Sequence, residues 1–218
     1  MSKHFSLLVF DWDGTLMDSA EVIAACIQAA CMDLKLPVPE TQQAKHVIGL
    51  GLNEALTTLL PALNTQQYDQ LVERYRFHYL SEDSRIPLFD GAVEAIASLH
   101  QQGFLLAVAT GKSQKGLQRA LCATGLKDYF HATRCADQCF SKPHPQMLYE
   151  LMTELDRGPQ QTLMIGDTSH DLQMAKNAGV SYLAAAYGAH SRDSLLQFSP
   201  LICADNFAEL HQWLTINA

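Results

Sequence analysis

Two aspartates one residue apart, Asp11 and Asp13, close the apolar run Leu7-Leu8-Val9-Phe10 and are followed by Gly14 and Thr15. A short, uninterrupted apolar run reads as a strand buried on both faces. Ligands of open parallel sheets bind beyond the carboxyl ends of strands, so this ending presents two oxygen donors where a substrate arrives. Two further apolar runs have the same form. Phe104–Ala109 stops on Thr110-Gly111-Lys112-Ser113, and Thr162–Ile165 stops on Gly166-Asp167-Thr168-Ser169-His170-Asp171. Between them, Lys142-Pro143-His144-Pro145 opens a helix. Parallel strands put all their carboxyl ends on one edge, so side chains far apart in sequence converge.

The chemistry of that set is specific. Carboxylates gathered in one cleft repel one another unless a cation neutralises them, and an all-oxygen set suits Mg²⁺. Thr110 and the backbone N–H groups after it, Gly111 among them, supply donors, and Lys142 supplies positive charge. Together they suit a tetrahedral oxyanion such as a phosphoryl group. A carboxylate that attacks phosphorus forms an aspartyl phosphate and divides one hard transfer into two easier ones. Asp11, at the strand tip, is the expected nucleophile. Asp13 is expected to protonate the leaving oxygen and then to deprotonate the attacking water.

The elements that must position these groups alternate. A helix marked by Val93, Ile96 and Leu99 ends at Gly103, and the strand over 104–110 follows. Next come a helix over 114–123, a short strand over 130–133, a helix with Met147, Leu148 and Leu151, and the strand at Thr162. Val180–Ala186, an edge strand over Leu201–Ala204 and a terminal helix complete the chain. This rhythm predicts an α/β fold, a parallel sheet with helices on both faces. Only the stretch from Thr15 to Phe104 is too long for a simple crossover, which needs about a dozen residues or somewhat more. Helical patterns over 18–36, from about 41, over 53–60 and over 65–80 fill it, with Gly49-Leu50-Gly51 as a break. The expected division is a core of residues 1–15 and 84–218 with an inserted helical cap, residues 16–83, acting as a lid.

Composition narrows the alternatives. The 218 residues carry a formal net charge of −8 and are 48% hydrophobic, which disfavours a broad nucleic-acid footprint. No run approaches ~20 apolar residues, so no membrane span is expected, and no secretory signal is legible at the start. The six cysteines lack disulfide-scaffold spacing and read as free thiols in the cytoplasm. Cys135 and Cys139 with His144 want a fourth ligand for zinc. Gly111-Lys112-Ser113 is not a nucleotide P-loop, because Leu106 stands where that motif needs Gly. Ser169 and His170 read as bystanders, since no Gly-x-Ser-x-Gly occurs.

Asp11-Trp12-Asp13-Gly14-Thr15, Thr110-Gly111, Lys142-Pro143 and Gly166-Asp167 with Asp171, in that order, resemble the four motifs of the haloacid dehalogenase superfamily. The likeness is nearest to its phosphoglycolate phosphatase-like and β-phosphoglucomutase-like members. It implies a Rossmann-like core, Mg²⁺, phosphate contacts from Thr110 and Lys142, and metal ligation by Asp11, the Asp13 carbonyl and Asp167. Asp171 would bind the metal through water or support a ligand. A phosphorylated small molecule is the implied substrate. A phosphosugar mutase shares these motifs, and a non-catalytic phosphate-metabolite sensor is the reading outside enzymes. In the expected cap, Gly49, Gly51 and Asn53 resemble the segment that selects substrate. Lys45, His46, Arg74 and Arg76 are further candidates to meet a substrate anion, though solvated helix faces account for most such charges.

Overall fold

A computed structural model describes residues 4–218. Six strands, β1 (Leu7–Phe10), β2 (Leu105–Thr110), β3 (Ala132–Cys135), β4 (Thr162–Gly166), β5 (Ser181–Ala185) and β6 (Cys203–Ala204), form one sheet in the order β3-β2-β1-β4-β5-β6. Every pairing is parallel. β1 is central, in register with both neighbours: Leu7 faces Leu105 and Thr162, and Phe10 faces Val108 and Ile165. The order is that of a doubly wound sheet, in which the chain reverses direction beside β1, and such a reversal leaves a crevice at the carboxyl ends.

Side chains alternate across the sheet with the two-residue period of a strand. Leu8, Phe10, Leu106, Val108, Leu163 and Ile165 join one apolar cluster. With them lie Ile96 and Leu99 of α5 (Ala92–Gln101), Leu117 of α6 (Gln114–Thr124) and Leu210 of α10 (Phe207–Asn217). Leu7, Val9, Ala107, Ala109 and Met164 join another, with Met147, Leu148 and Leu151 of α7 (Gln146–Glu154) and Met174 and Ala175 of α8 (Ser169–Ala178). Burying each large apolar side chain contributes roughly 1.5–3 kcal/mol, which is why both faces must be covered.

Four helices lie between β1 and α5: α1 (Ala20–Asp33), α2 (Thr41–His46), α3 (Leu52–Leu59) and α4 (Thr65–Glu82). Ile23, Ile27, Leu56 and Leu71 of this group belong to the same cluster as the Leu8 face of the sheet. The outgoing and returning segments run side by side. Met17 bridges to Asp13 and to Leu88, Asp18 N donates to Pro87 O at 2.9 Å, and Phe89 N donates to Leu16 O at 3.0 Å.

The short strand expected over 130–133 is displaced to Ala132–Cys135, because Phe130 is drawn edge-on against Phe10 and Trp12. Two helices were not anticipated: α8, and α9 (Arg192–Leu196). Among the described residues, no helix is long and apolar enough to cross a membrane.

Candidate active site

The turn after β1 is tightly made. Asp11 N donates to Ile165 O at 2.9 Å, extending the β1–β4 pairing by one residue, and Gly14 takes φ of +81° so that its N–H can reach Met17 O at 2.8 Å. Asp167 follows β4, and its carboxylate is fixed at both oxygens: Thr15 Oγ1 donates to Oδ1 at 2.8 Å and Ala189 N to Oδ2 at 2.7 Å. Asp171 is held by the logic of a helix start. Thr168 is the N-cap of α8, and Asp171, three residues on, accepts at Oδ2 from Thr168 N at 3.1 Å and from Thr168 Oγ1 at 2.6 Å. Lys142 reaches in from the loop before α7, with Nζ 2.7 Å from Asp11 Oδ1 and 2.6 Å from Asp171 Oδ1.

Close approach of backbone to these carboxylates depends on glycine. A Cβ on Gly14 would lie 2.1 Å from Asp167 Oδ2, one on Gly166 2.4 Å from Asp171 Cβ, and one on Gly188 2.3 Å from Asp167 Cβ. Gly188 has no positive φ, so Gly188→Ala isolates the steric effect. The expected result is a loss of about 1–3 kcal/mol in stability, read from the urea denaturation midpoint.

All four of these side chains are buried, and the one ammonium among the three carboxylates pairs with Asp11 and Asp171. Burial pushes the Asp11 carboxyl up to about 7, opposed by Lys142 and reinforced by Asp171. Burial likewise holds Asp167 well above the carboxylate range, with Asp11 and Asp171 adding to the shift. For Lys142 burial acts downward, but the Asp11 and Asp171 carboxylates more than offset it and leave the ammonium above its ordinary value. Ligand oxygens of Asp11, Asp167 and Asp171 lie within 4.8 Å of one another, the only such group of three His, Cys, Asp or Glu among the described residues. Asp11 Oδ2 is buried without a hydrogen bond, and the Lys142 ammonium is the sole polar partner of Asp11 Oδ1 and Asp171 Oδ1 among the described residues. Hard oxygens, excess negative charge and unsatisfied lone pairs are the donor set that a divalent cation such as Mg²⁺ fits.

The Asp13 side chain stands apart from that set. Its Oδ1 accepts from Ser19 Oγ at 2.8 Å, and the Lys112 ammonium lies 3.0 Å and 3.1 Å from its two oxygens. Thr110, fully buried at the end of β2, accepts at Oγ1 from Lys112 N at 3.2 Å. Gly111 lies directly beneath the loop between α2 and α3: a Cβ there would meet Leu50 O at 2.3 Å and Gly49 O at 2.7 Å.

That loop is pressed onto the sheet edge. Gly49, at φ of +93°, packs on Thr168, and Gly51 N donates to Ser141 Oγ at 2.8 Å. Asn53 is exposed. Next to the loop, His46 O is approached by two imidazoles, His170 Nε2 at 2.8 Å and His190 Nε2 at 3.1 Å. Ser169 N donates to His190 Nδ1 at 3.0 Å, which assigns the proton to Nε2. Burial lowers both imidazoles, His190 to about 4, so each is a neutral donor to the His46 carbonyl. Lys45 pairs with Glu21 and Arg74 with Asp33, both within the helical group, and Arg76 is exposed.

Several residues here carry no weight in the sequence reading: Ser19, Tyr79, Gly188 and the two imidazoles. Two of the arrangements had a legible signal. Thr168-x-x-Asp171 has the spacing of a capping box, and Gly188 follows the apolar run of β5, whose carboxyl end lies on the same edge. Cys135, Cys139 and His144 do not form a metal group, and all six cysteines are free.

A family model described as haloacid dehalogenase-like hydrolase matches residues 8–185. A probable phosphatase, IndB, of Dickeya dadantii (strain 3937) is 34% identical over 210 residues, covering 94% of this chain and 91% of that protein. A phosphoglycolate phosphatase of Mannheimia succiniciproducens is 30% identical over 220 residues, covering 96% and 98%. The solved structure of a hydrolase from Pseudomonas syringae shares the fold with a TM-score of 0.89 at 21% identity, over 98% of this chain and 100% of that one. A doubly wound sheet whose strand ends gather Asp11, Lys142, Asp167 and Asp171, and a sequence match over most of its length, agree: this chain belongs to the haloacid dehalogenase-like hydrolase family.

Proposed function

We propose that the chain hydrolyses a small phosphomonoester in a Mg²⁺-dependent reaction, through an aspartyl phosphate formed on Asp11. The observation that carries this reading is the buried set of Asp11, Asp167 and Asp171, with one ammonium between Asp11 and Asp171 and with Asp11 Oδ2 left without a hydrogen bond. Such a carboxylate is desolvated and free to attack.

Asp11, Asp167 and the backbone carbonyl of Asp13 would hold the metal, with Asp171 bound through water or supporting the others. When bound, Mg²⁺ offsets the charge of the phosphoryl oxygens and carboxylates. Lys142 and the Thr110–Gly111 turn bind and orient the phosphoryl group. Asp13 gives its proton to the leaving oxygen and then accepts one from the hydrolytic water. Residues 16–83 act as a lid over this edge, and the seating of Gly49 and Gly51 on Gly111, Thr168 and Ser141 supports their role in closing it. Phosphoglycolate is the leading substrate, on the likeness to the Mannheimia succiniciproducens enzyme. Six free thiols support a cytoplasmic setting.

Phosphate release from a panel of phosphomonoesters tests this. Release is expected with Mg²⁺, is expected to stop when EDTA removes the metal, and should return when Mg²⁺ is restored. Isomerisation of β-glucose 1-phosphate without net release would make the protein a mutase. Neither activity would leave the sensor reading.

A further inference from the structure

Lys112 follows Gly111 at the end of β2 and points its ammonium inward. Besides the two Asp13 oxygens, its Nζ meets the Tyr79 hydroxyl at 2.7 Å and lies 4.7 Å from the centre of that ring. An exposed ion pair holds neither partner firmly and contributes about 0–1 kcal/mol. Here the Lys112 and Asp13 side chains are only 8% and 10% exposed and Tyr79 is buried, so the contact is strengthened by its surroundings and fixes the plane of the carboxylate. Asp13 Oδ1 is also occupied by Ser19, whereas Oδ2 has Lys112 as its sole hydrogen-bond partner among the described residues. Oδ2 is therefore the oxygen left to face a leaving group.

The partners come from separate parts of the fold. Asp13 follows β1, Lys112 follows β2, and Tyr79 belongs to α4 of the helical group. We infer that Lys112 is a positioning residue that aims the Asp13 carboxyl for proton transfer, and that Tyr79 makes this aim depend on α4 being seated over the sheet edge. The inference rests on the acid/base role proposed for Asp13. In the first transfer an Asp11 oxygen bonds to phosphorus, the bond from phosphorus to the leaving oxygen breaks, and the Asp13 proton passes to that oxygen. Asp13 is left as a carboxylate whose orientation the Lys112 ammonium holds. In the second transfer water gives a proton to Asp13 as its oxygen bonds to phosphorus and the bond from phosphorus to Asp11 breaks. Lys112 neither gives nor takes a proton.

The dependence of rate on leaving group separates positioning from a structural role. An alkyl phosphomonoester needs its leaving oxygen protonated, whereas p-nitrophenyl phosphate departs as a stable anion. Lys112→Met is expected to lower kcat/KM for the alkyl substrate by about 100-fold, and by at least about tenfold more than for p-nitrophenyl phosphate. Tyr79→Phe keeps the buried ring and removes only the hydroxyl. It should show the same bias at about tenfold on the alkyl substrate, and it carries the test if the lysine variant does not fold. Equal losses on both substrates, or no loss, overturn the inference. Asp11→Asn distinguishes this from failure of the underlying reading: full turnover in that variant removes the proposed mechanism, whatever Lys112→Met does.

Discussion

Asp11→Asn is expected to abolish phosphate release, on the order of 10⁴-fold or more, while raising the stability of the metal-free protein. The two effects share one cause. An amide nitrogen or oxygen in place of the carboxylate does not attack phosphorus, and the same change removes a buried charge. The sign follows from proton binding. In the folded state the Asp11 carboxyl titrates at about 7, against 3.8 for its unperturbed value, so folding favours the protonated form. Its contribution to stability is full below 3.8 and is lost as pH rises through 7. The Asn variant, which has no such titration, should exceed the unaltered protein at pH 8 by about 2 kcal/mol, with the gap closing towards pH 4. Urea unfolding at the two pH values, in EDTA, measures it. Retained turnover would remove Asp11 as the nucleophile, and a less stable variant at pH 8 would contradict the cost assigned to burying its charge.

Lys142→Ala should act in the opposite sense on stability. The ammonium is the partner of Asp11 Oδ1 and Asp171 Oδ1, and all three side chains are out of water. Removing one partner of a buried pair leaves uncompensated charge and costs about 3–5 kcal/mol. Activity should fall with it, because the phosphoryl group loses its positive contact. Mg²⁺ should recover part of the lost stability, since a divalent cation neutralises the same carboxylates. Thermal unfolding of the variant with and without Mg²⁺ reads this. An unchanged midpoint in EDTA would show that the ammonium is not what balances the cluster.

The strands and the convergence of Asp11, Lys142, Asp167 and Asp171 were legible because they depend on local signals. Uninterrupted apolar runs of strand length marked β1, β2 and β4, and parallel connection put their ends together. What escaped depends on tertiary contact. Phe130 reads as strand by composition, yet its packing on Phe10 and Trp12 moves the pairing two residues on. Lys112 is one of fifteen Lys and Arg residues, and nothing local distinguishes it from a solvated lysine until Tyr79 and Asp13 close around it. The place of Gly188 after β5 is legible, but its steric need follows only from Asp167 beside it. Lys45 and Arg74, plausible anion receptors by type, are instead satisfied by acids of their own helical group.

The paired segments that join the helical group to the sheet have a mechanical consequence. A body on a single strand of chain can drift, twist and slide. One on two strands bonded to each other, here through Met17 and Leu88, Asp18 and Pro87, and Leu16 and Phe89, has a common axis that would confine the proposed lid to a swing. If residues 16–83 move as the proposed lid, an axis that begins at Asp13 would return the Gly49–Gly51 loop to the same landing point on Gly111 at each closure.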